Sequence, residues 1–367
     1  MGVREVEFED LPAVAELFVA AGWQAPRRQD WMRLWVENPA VKIDRPRPCR
    51  GWVLEKDERL VGYMGNLTQL YSWEGRILRS ATATHFFVLP EFRGLSLQLV
   101  LPFVRQQHVD LLLNTTASEE ASQVFQFLKF ARLPQPDFDV SMYWVSQPVG
   151  FVRAALRKKG LPLLLARVSA PVAGPVLGLE HWLRGRRPKS PGTHDITIDA
   201  GGAEVIGAEF DEFWNSKRAE SGRLLAMRSA EILRHRFGQE GRAQPPRVIR
   251  AWRGERLVGY TICVRFDTPE IGLRRLRFAD LMADQDDPLV VQELLAAAFQ
   301  EARQARVDML EVIGYPTHIR ELLELARPLH WKRESWPYLY KTDDPVLQGA
   351  LESQSTWYPT LLDGDGC

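Results

Sequence analysis

Two apolar runs, Trp52-Val53-Leu54 and Leu60-Val61-Gly62-Tyr63-Met64, flank the charged stretch Glu55 to Arg59, a pattern that predicts a β-hairpin. The pattern returns downstream. Val248-Ile249-Arg250-Ala251-Trp252 and Arg256-Leu257-Val258-Gly259-Tyr260-Thr261-Ile262 enclose the turn Arg253-Gly254-Glu255. The hexapeptide Glu-Arg-Leu-Val-Gly-Tyr is identical at Glu58 to Tyr63 and at Glu255 to Tyr260, an offset of 197 residues. A second pair of strand-like runs, Val109-Asp110-Leu111-Leu112-Leu113 and Val307-Asp308-Met309-Leu310-Glu311, stands at an offset of 198. Two landmarks in register indicate internal duplication.

Each half therefore reads hairpin, strand, helix, strand, helix, then a closing aromatic strand, Met142-Tyr143-Trp144-Val145 or Tyr338-Leu339-Tyr340. Consecutive strands followed by alternating strand and helix predict an α/β fold with a mixed sheet and helices on its faces. The first half also opens with a strand, Val3 to Phe8, and a helix after Asp10, whose carboxylate is placed to cap the first turn. Leu11, Val14, Ala15, Leu17 and Phe18 give that helix its apolar stripe. Trp23, Trp31 and Trp35 have helical spacing and read as core packing, with the wall of an acceptor pocket as the alternative.

The map that follows is a first domain at 1–147, an interdomain segment at 148–193, a second domain at 194–345 and a tail at 346–367. The interdomain segment differs in character. Leu161 to Leu179 is apolar apart from Arg167 and Ser169, with Arg153, Arg157, Lys158 and Lys159 before it and Arg184, Arg186, Arg187 and Lys189 after. A helix pair with a linker is the simpler reading; peripheral attachment to an anionic membrane through 153–189 is the other. Pro162, Pro171, Pro175 and Arg167 disfavour a transmembrane span.

Composition narrows the functional classes. Apolar residues make up 45% of the 367 and charged ones 26%, a globular balance. With 47 basic and 47 acidic residues, no global field draws the chain to nucleic acid. Cys49, Cys263 and Cys367 have no paired spacing, and the seven histidines form no zinc-type pattern, so a reducing cytoplasm and no metal are expected. There is no Gly-x-Ser-x-Gly elbow, Walker loop or dinucleotide Gly-x-Gly-x-x-Gly.

The order of elements resembles the GCN5-related N-acetyltransferase superfamily, and tandem copies of that fold resemble bacterial proteins found near surface-polysaccharide or secretion loci. Phe86-Phe87-Val88-Leu89-Pro90-Glu91-Phe92-Arg93-Gly94-Leu95-Ser96-Leu97 is similar to the strand, turn and helix start that hold acyl-coenzyme A in that superfamily. In the second half, Arg228 to Phe237, Phe278-Ala279-Asp280-Leu281, and the closing Trp357-Tyr358-Pro359 to Asp363-Gly364-Asp365 carry the likeness. The resemblance implies two tandem acyl-coenzyme A N-acyltransferase-like domains forming a pseudo-dimer. Acetyl-coenzyme A, or another acyl-coenzyme A, would be the co-substrate, bound by Val88, Arg93, Gly94, Leu95, Ser96 and Leu97.

A helix start after a tight turn presents backbone N–H groups to phosphate, and small residues let a pyrophosphate approach them. Against the superfamily pattern Arg/Gln-x-x-Gly-x-Gly/Ala, this chain places Ser96 and Gln98 at the two small positions. Where the superfamily commonly carries a tyrosine acid, Ser118, Ala121 and Phe125 match Asn-x-x-Ala-x-x-x-Tyr, so Phe125 is expected to pack in the core. Asp284, Asp286 and Asp287 occupy the corresponding turn of the second half and would repel a pyrophosphate. His85, on the strand before the first turn, is the candidate base, and Asp280, on the similar strand of the second half, is a second candidate base or acceptor anchor. Packing, or a pairing of Asp280 with Arg277, is the alternative role. Two functions stay open: an acyltransferase acting on an amine of a small metabolite, nucleotide sugar or glycan precursor, and a non-catalytic member of the fold that binds a ligand or partner. A monomer that binds no nucleic acid is expected.

Overall fold

A computed structural model describes residues 2–43, 46–220, 222–238, 244–332 and 337–364. Asp365 of the closing stretch and Cys367 lie outside them. The first sheet is built from β1 (Gly2–Glu5), β2 (Gly51–Lys56), β3 (Arg59–Trp73), β4 (Arg76–Val88), β5 (Leu111–Asn114) and β6 (Ala131–Arg132), whereas β7 (Val140–Val145) belongs to the second. That second sheet continues with β8 (Thr197–Gly201), while β9 (Leu225–Ala226) returns to pair with β3. The remaining strands are β10 (Arg247–Arg253), β11 (Arg256–Arg265), β12 (Arg275–Ala283), β13 (Met309–Val312), β14 (Leu329–Lys332) and β15 (Leu339–Lys341). Strand order is β1-β2-β3-β4-β5-β15-β6 in one sheet and β14-β7-β13-β12-β11-β10-β8 in the other.

Both repeated hairpins form. Asp57 and Glu58 link β2 to β3 at φ 50° and 58°, the left-handed pair whose twist suits a two-residue hairpin loop. In the second copy Gly254 takes φ 59° between β10 and β11. Each half then places one parallel pair, β4 with β5 and β12 with β13, beside its antiparallel strands.

The closing aromatic strands are exchanged between halves. β7, from the first half, pairs with β13, matching Met309 with Val145 and Val312 with Met142. β15, from the second, pairs with β5, matching Leu339 with Asn114 and Lys341 with Leu112. The boundary at 147 separates chain segments but not sheets. Tyr71, Trp73, Leu113, Tyr338, Tyr340 and Trp357, drawn from both halves, share one buried cluster at the seam. Alternation along a strand fixes which face is buried, not which edge receives the strand, so this exchange has no signature in the sequence pattern.

At the N-terminus the helix Leu11–Ala20 buries Val14, Leu17 and Phe18. Asp10 does not cap it. Its carboxylate accepts from the Glu7 N–H and is held by Arg4 at 2.7 and 2.8 Å, tying the preceding turn to β1 instead. The interdomain segment is a helical hairpin, Pro148–Lys158 and Leu163–Leu183.

The tail crosses the seam rather than hanging from it. Tyr358 donates to the Leu281 carbonyl at 3.0 Å, and the Tyr315 N–H donates to the Pro359 carbonyl at 2.8 Å. Gln69, from the first sheet, donates to the Leu362 carbonyl at 2.9 Å, and Tyr71 donates to the Asp363 carboxylate at 3.2 Å. Burial pushes the Asp363 carboxyl up to about 6, even though Arg228 nearby favours its ionised form. A folded value above the unfolded one means the native state holds the proton longer between about pH 4 and 6, so this group's contribution to stability falls as pH rises through that window. Asp363→Asn removes it. Urea titrations of both proteins from pH 4 to 7 are expected to show the wild type losing stability, relative to the variant, with rising pH. A pH-independent difference would sink the assignment.

Candidate active site

β4 and β5 pair only from Ser80–Leu111 to Thr82–Leu113, yet β4 runs on to Val88, so the two strands part. The gap opens into a cavity of about 730 Å³. Ala83, His85, Phe86 and Phe87 line one wall, and Asn114 to Ala117 line the other. Phe266, Arg277 and Ile313 reach it from the second half, as do Thr360, Leu361 and Gly364 from the tail. The Thr115 hydroxyl in its wall is buried without a protein hydrogen-bond partner.

A bulge places His85. Pairing of β3 with β4 shifts between Tyr63–Phe87 and Gly65–Thr84, and His85 takes φ 50° within that shift. Left-handed backbone at a non-glycine residue costs on the order of 1 kcal/mol and breaks the strand's alternation. The ring stacks on Phe18 at 4.9 Å and meets the edge of Trp23 at 5.5 Å. Of the three tryptophans read as core packing with a pocket wall as the alternative, Trp23 reaches this cavity, whereas Trp31 and Trp35 pack together in the core at 4.6 Å.

A second cavity, of about 250 Å³, lies beside β3 and the helix Ala230–Phe237. Asp30, Arg33, Asn38, Gln69, His235 and Arg236 supply its polar lining. His85 lines both cavities. Burial, followed by the charges of Arg33, Arg236 and Lys42, holds the His235 imidazole down to about 4. The sequence marked the stretch holding His235 and Arg236 but not its meeting with Asp30, Arg33 and Asn38, which lie about 200 positions away, as in the Arg33 hydrogen bond to the His235 carbonyl.

The turn beyond β4 folds as expected from a strand-to-helix connection. Val88 ends the strand, Pro90–Leu95 is a 3-10 turn, and Ser96–Val104 is the helix. Arg93, Gly94 and Leu97 are exposed, and a Cβ on Gly94 would meet no atom within 4 Å, so the outer side of the turn is uncovered. The Ser96 hydroxyl donates to the Arg93 carbonyl at 2.7 Å. None of Arg93 to Leu97 lines the 730 Å³ cavity. Phe125 is fully buried, edge-on to Phe130 at 5.0 Å and to Phe86 at 6.2 Å, in the packing role expected of it.

Asp280 stands three residues before the end of β12, as His85 does in β4, but its surroundings differ. The carboxylate is fully buried, receives the Arg228 Nε at 2.9 and 3.1 Å, and receives the Tyr260 hydroxyl at 2.8 Å. Its partner is Arg228, not Arg277, which pairs with Glu311 at 2.9 Å. Arg228 also donates to Thr360, and Arg236 to the Gly364 carbonyl, so the three second-half stretches that carry the family resemblance meet here. Burial opposes the Arg228 charge, but Asp280, Asp363 and Tyr260 outweigh it and raise the pKa.

Among the described residues, the corresponding turn of the second half is closed. Asp287 accepts from the Leu289 N–H at 2.8 Å, placing the chain's own carboxylate at the helix start. Lys217, wholly buried, donates to Asp286, Glu220 and the Ala283 carbonyl at 2.7–2.8 Å. Although burial raises it, His318, Lys217 and Arg223 hold the Asp286 carboxyl well below the usual range.

Comparison with family models and with curated proteins finds no match. Solved structures do match in shape. The chain is similar to a GCN5-related N-acetyltransferase from Anabaena variabilis (TM-score 0.57, 11% identity, 93% of this chain and 72% of that one). It is similar likewise to one from Kribbella flavida (0.55, 13%, 94% and 71%) and to Eis1 from Mycobacterium abscessus (0.53, 16%, 95% and 75%). At such identities the likeness defines the fold alone, a mixed α/β architecture built on two mixed sheets.

Proposed function

We propose that the protein transfers an acyl group, acetyl in the first instance, from acyl-coenzyme A to the amine of a small acceptor. The observation that carries this reading is the position of His85 in the walls of both cavities. A thioester entering from the 730 Å³ side and an amine entering from the 250 Å³ side would meet at one imidazole. The coenzyme supplies the activated acyl group. Arg93 and the backbone from Gly94 to Leu97 would hold its pyrophosphate, and the cavity between β4 and Asn114–Ala117 would take the pantetheine arm. His85 accepts the amine proton as nitrogen bonds to the carbonyl carbon; the carbon–sulfur bond then breaks, and the thiolate leaves beside the Thr115 hydroxyl. Asp280, enclosed by Arg228 and Tyr260, positions the tail that closes the site and does not exchange protons with substrate.

The smaller cavity suits a compact acceptor, and its Arg33 and Arg236 favour one that also carries an anionic group. An amino metabolite or an amino-sugar precursor has that chemistry. Two sheets joined in one chain supply what a dimer would, so we read the protein as a monomer, with its thiols in a reducing cytoplasm. The packing of Phe125 and the engaged Ser96 hydroxyl favour the competing reading, a ligand-binding protein without turnover.

Thermal denaturation with acetyl-coenzyme A separates the two. Under the transferase reading, coenzyme at a hundredfold over its Kd stabilises the fold by about 2.7 kcal/mol. Arg93→Glu is expected to abolish that shift. If no acyl-coenzyme A of any chain length moves the transition, the transfer reading fails. Once an acceptor is found, His85→Ala is expected to lower kcat/KM by about 10²–10⁴ while keeping the coenzyme shift; unchanged turnover would remove His85 from the chemistry.

A further inference from the structure

The Leu163–Leu183 helix is amphipathic in an inverted sense. Its small residues, Ala166, Ala170, Gly174 and Gly178, recur every four positions on the buried side, against the preceding helix. A Cβ on Gly174 would stand 2.8 Å from Val149, so that contact requires glycine. The large residues face outward. Leu165, Val168, Val172, Val176, Leu179 and Leu183 follow one another at intervals of three or four and are 57%, 74%, 75%, 67%, 56% and 69% exposed. At 1.5 Å per residue this stripe runs for about 30 Å. Contiguous exposed apolar surface of that length marks a contact site in a soluble fold.

Charge selects the occupant. Residues 148–193 contain nine lysines and arginines and a single acid, Glu180, in a chain whose total charge is zero. The basic residues cluster before and after the apolar stripe, with Arg167 alone among them inside the helix. Two copies of this hairpin laid face to face would bring two such charged segments together, whereas an anionic lipid surface complements both the charge and the apolar stripe. The fold also fixes the depth. The companion helix is pinned to the second sheet and its loops by the Arg157 hydrogen bond to the Glu270 carbonyl at 2.7 Å and by the stacking of Phe151 on Tyr143 of β7 at 5.8 Å. With one side of the long helix held in this way, only its outer side can enter a bilayer, parallel to the surface. Trp182, 56% exposed near the end of the stripe, suits the headgroup level. We propose that this hairpin seats the protein on anionic membrane surfaces, apolar stripe down.

The test is flotation of the full-length protein with phosphatidylcholine vesicles, with and without phosphatidylglycerol. Binding is expected only with the anionic lipid and is expected to weaken as salt rises. Val172→Asp with Val176→Asp should reduce it at least about tenfold, as should Lys159→Glu with Lys189→Glu to a lesser degree. All four side chains are exposed, so the thermal transition is expected to stay in place and to report that the variants fold. The proposal is overturned by absence of flotation, by flotation that the paired aspartates leave unchanged, or by a dimer in solution that those aspartates dissociate.

Discussion

A buried guanidinium organises the centre of this molecule. Arg228 has no access to water, and a charge so placed is tolerated only if its surroundings meet it with acceptors of matching sign and geometry. Asp280 from β12, Thr360 from the tail and the Ala226 carbonyl meet that demand. Each comes from a different segment, so satisfying one side chain obliges three parts of the chain to converge. The seating of the tail, and with it the far wall of the larger cavity, follows from that convergence.

The two halves share a scaffold and differ in what fills the gap after the parallel pair. In the second half, the region beyond β12 and β13 takes in Tyr315 and Tyr358, both buried, while Asp287 satisfies the helix start from within the chain. In the first half the equivalent region is a cavity and the turn is exposed. A site that already holds its own anion has no need of an external one. The second half thus meets its polar requirements internally, while the first leaves its turn exposed and its gap open.

What the sequence discloses follows the range of the interactions involved. The hairpins were legible because alternation and the residues of a tight turn lie within a dozen positions, and Phe125 because a missing hydroxyl is a local fact. Asp280 was legible as a residue of interest, but its partner was misjudged: Arg277 is near in sequence, yet Arg228, 52 positions away, is the one that reaches it. The exchange of β7 and β15 left no mark, since either sheet edge would accept an aromatic strand of that pattern. The smaller cavity joins Arg33 to Arg236, and no spacing rule spans such a distance.

The strand exchange also bears on how such a chain can change over generations. A duplicated protein whose copies fold separately is free to lose whichever copy falls idle. Here each sheet is completed by the other's closing strand, so deleting the second half would strip β15 from β5, and deleting the first would strip β7 from β13. The half with the filled gap is therefore a mechanical part of the other sheet, whatever its chemistry. Its surface and loops can vary without touching those pairings, but its removal would leave β5 without its neighbour β15.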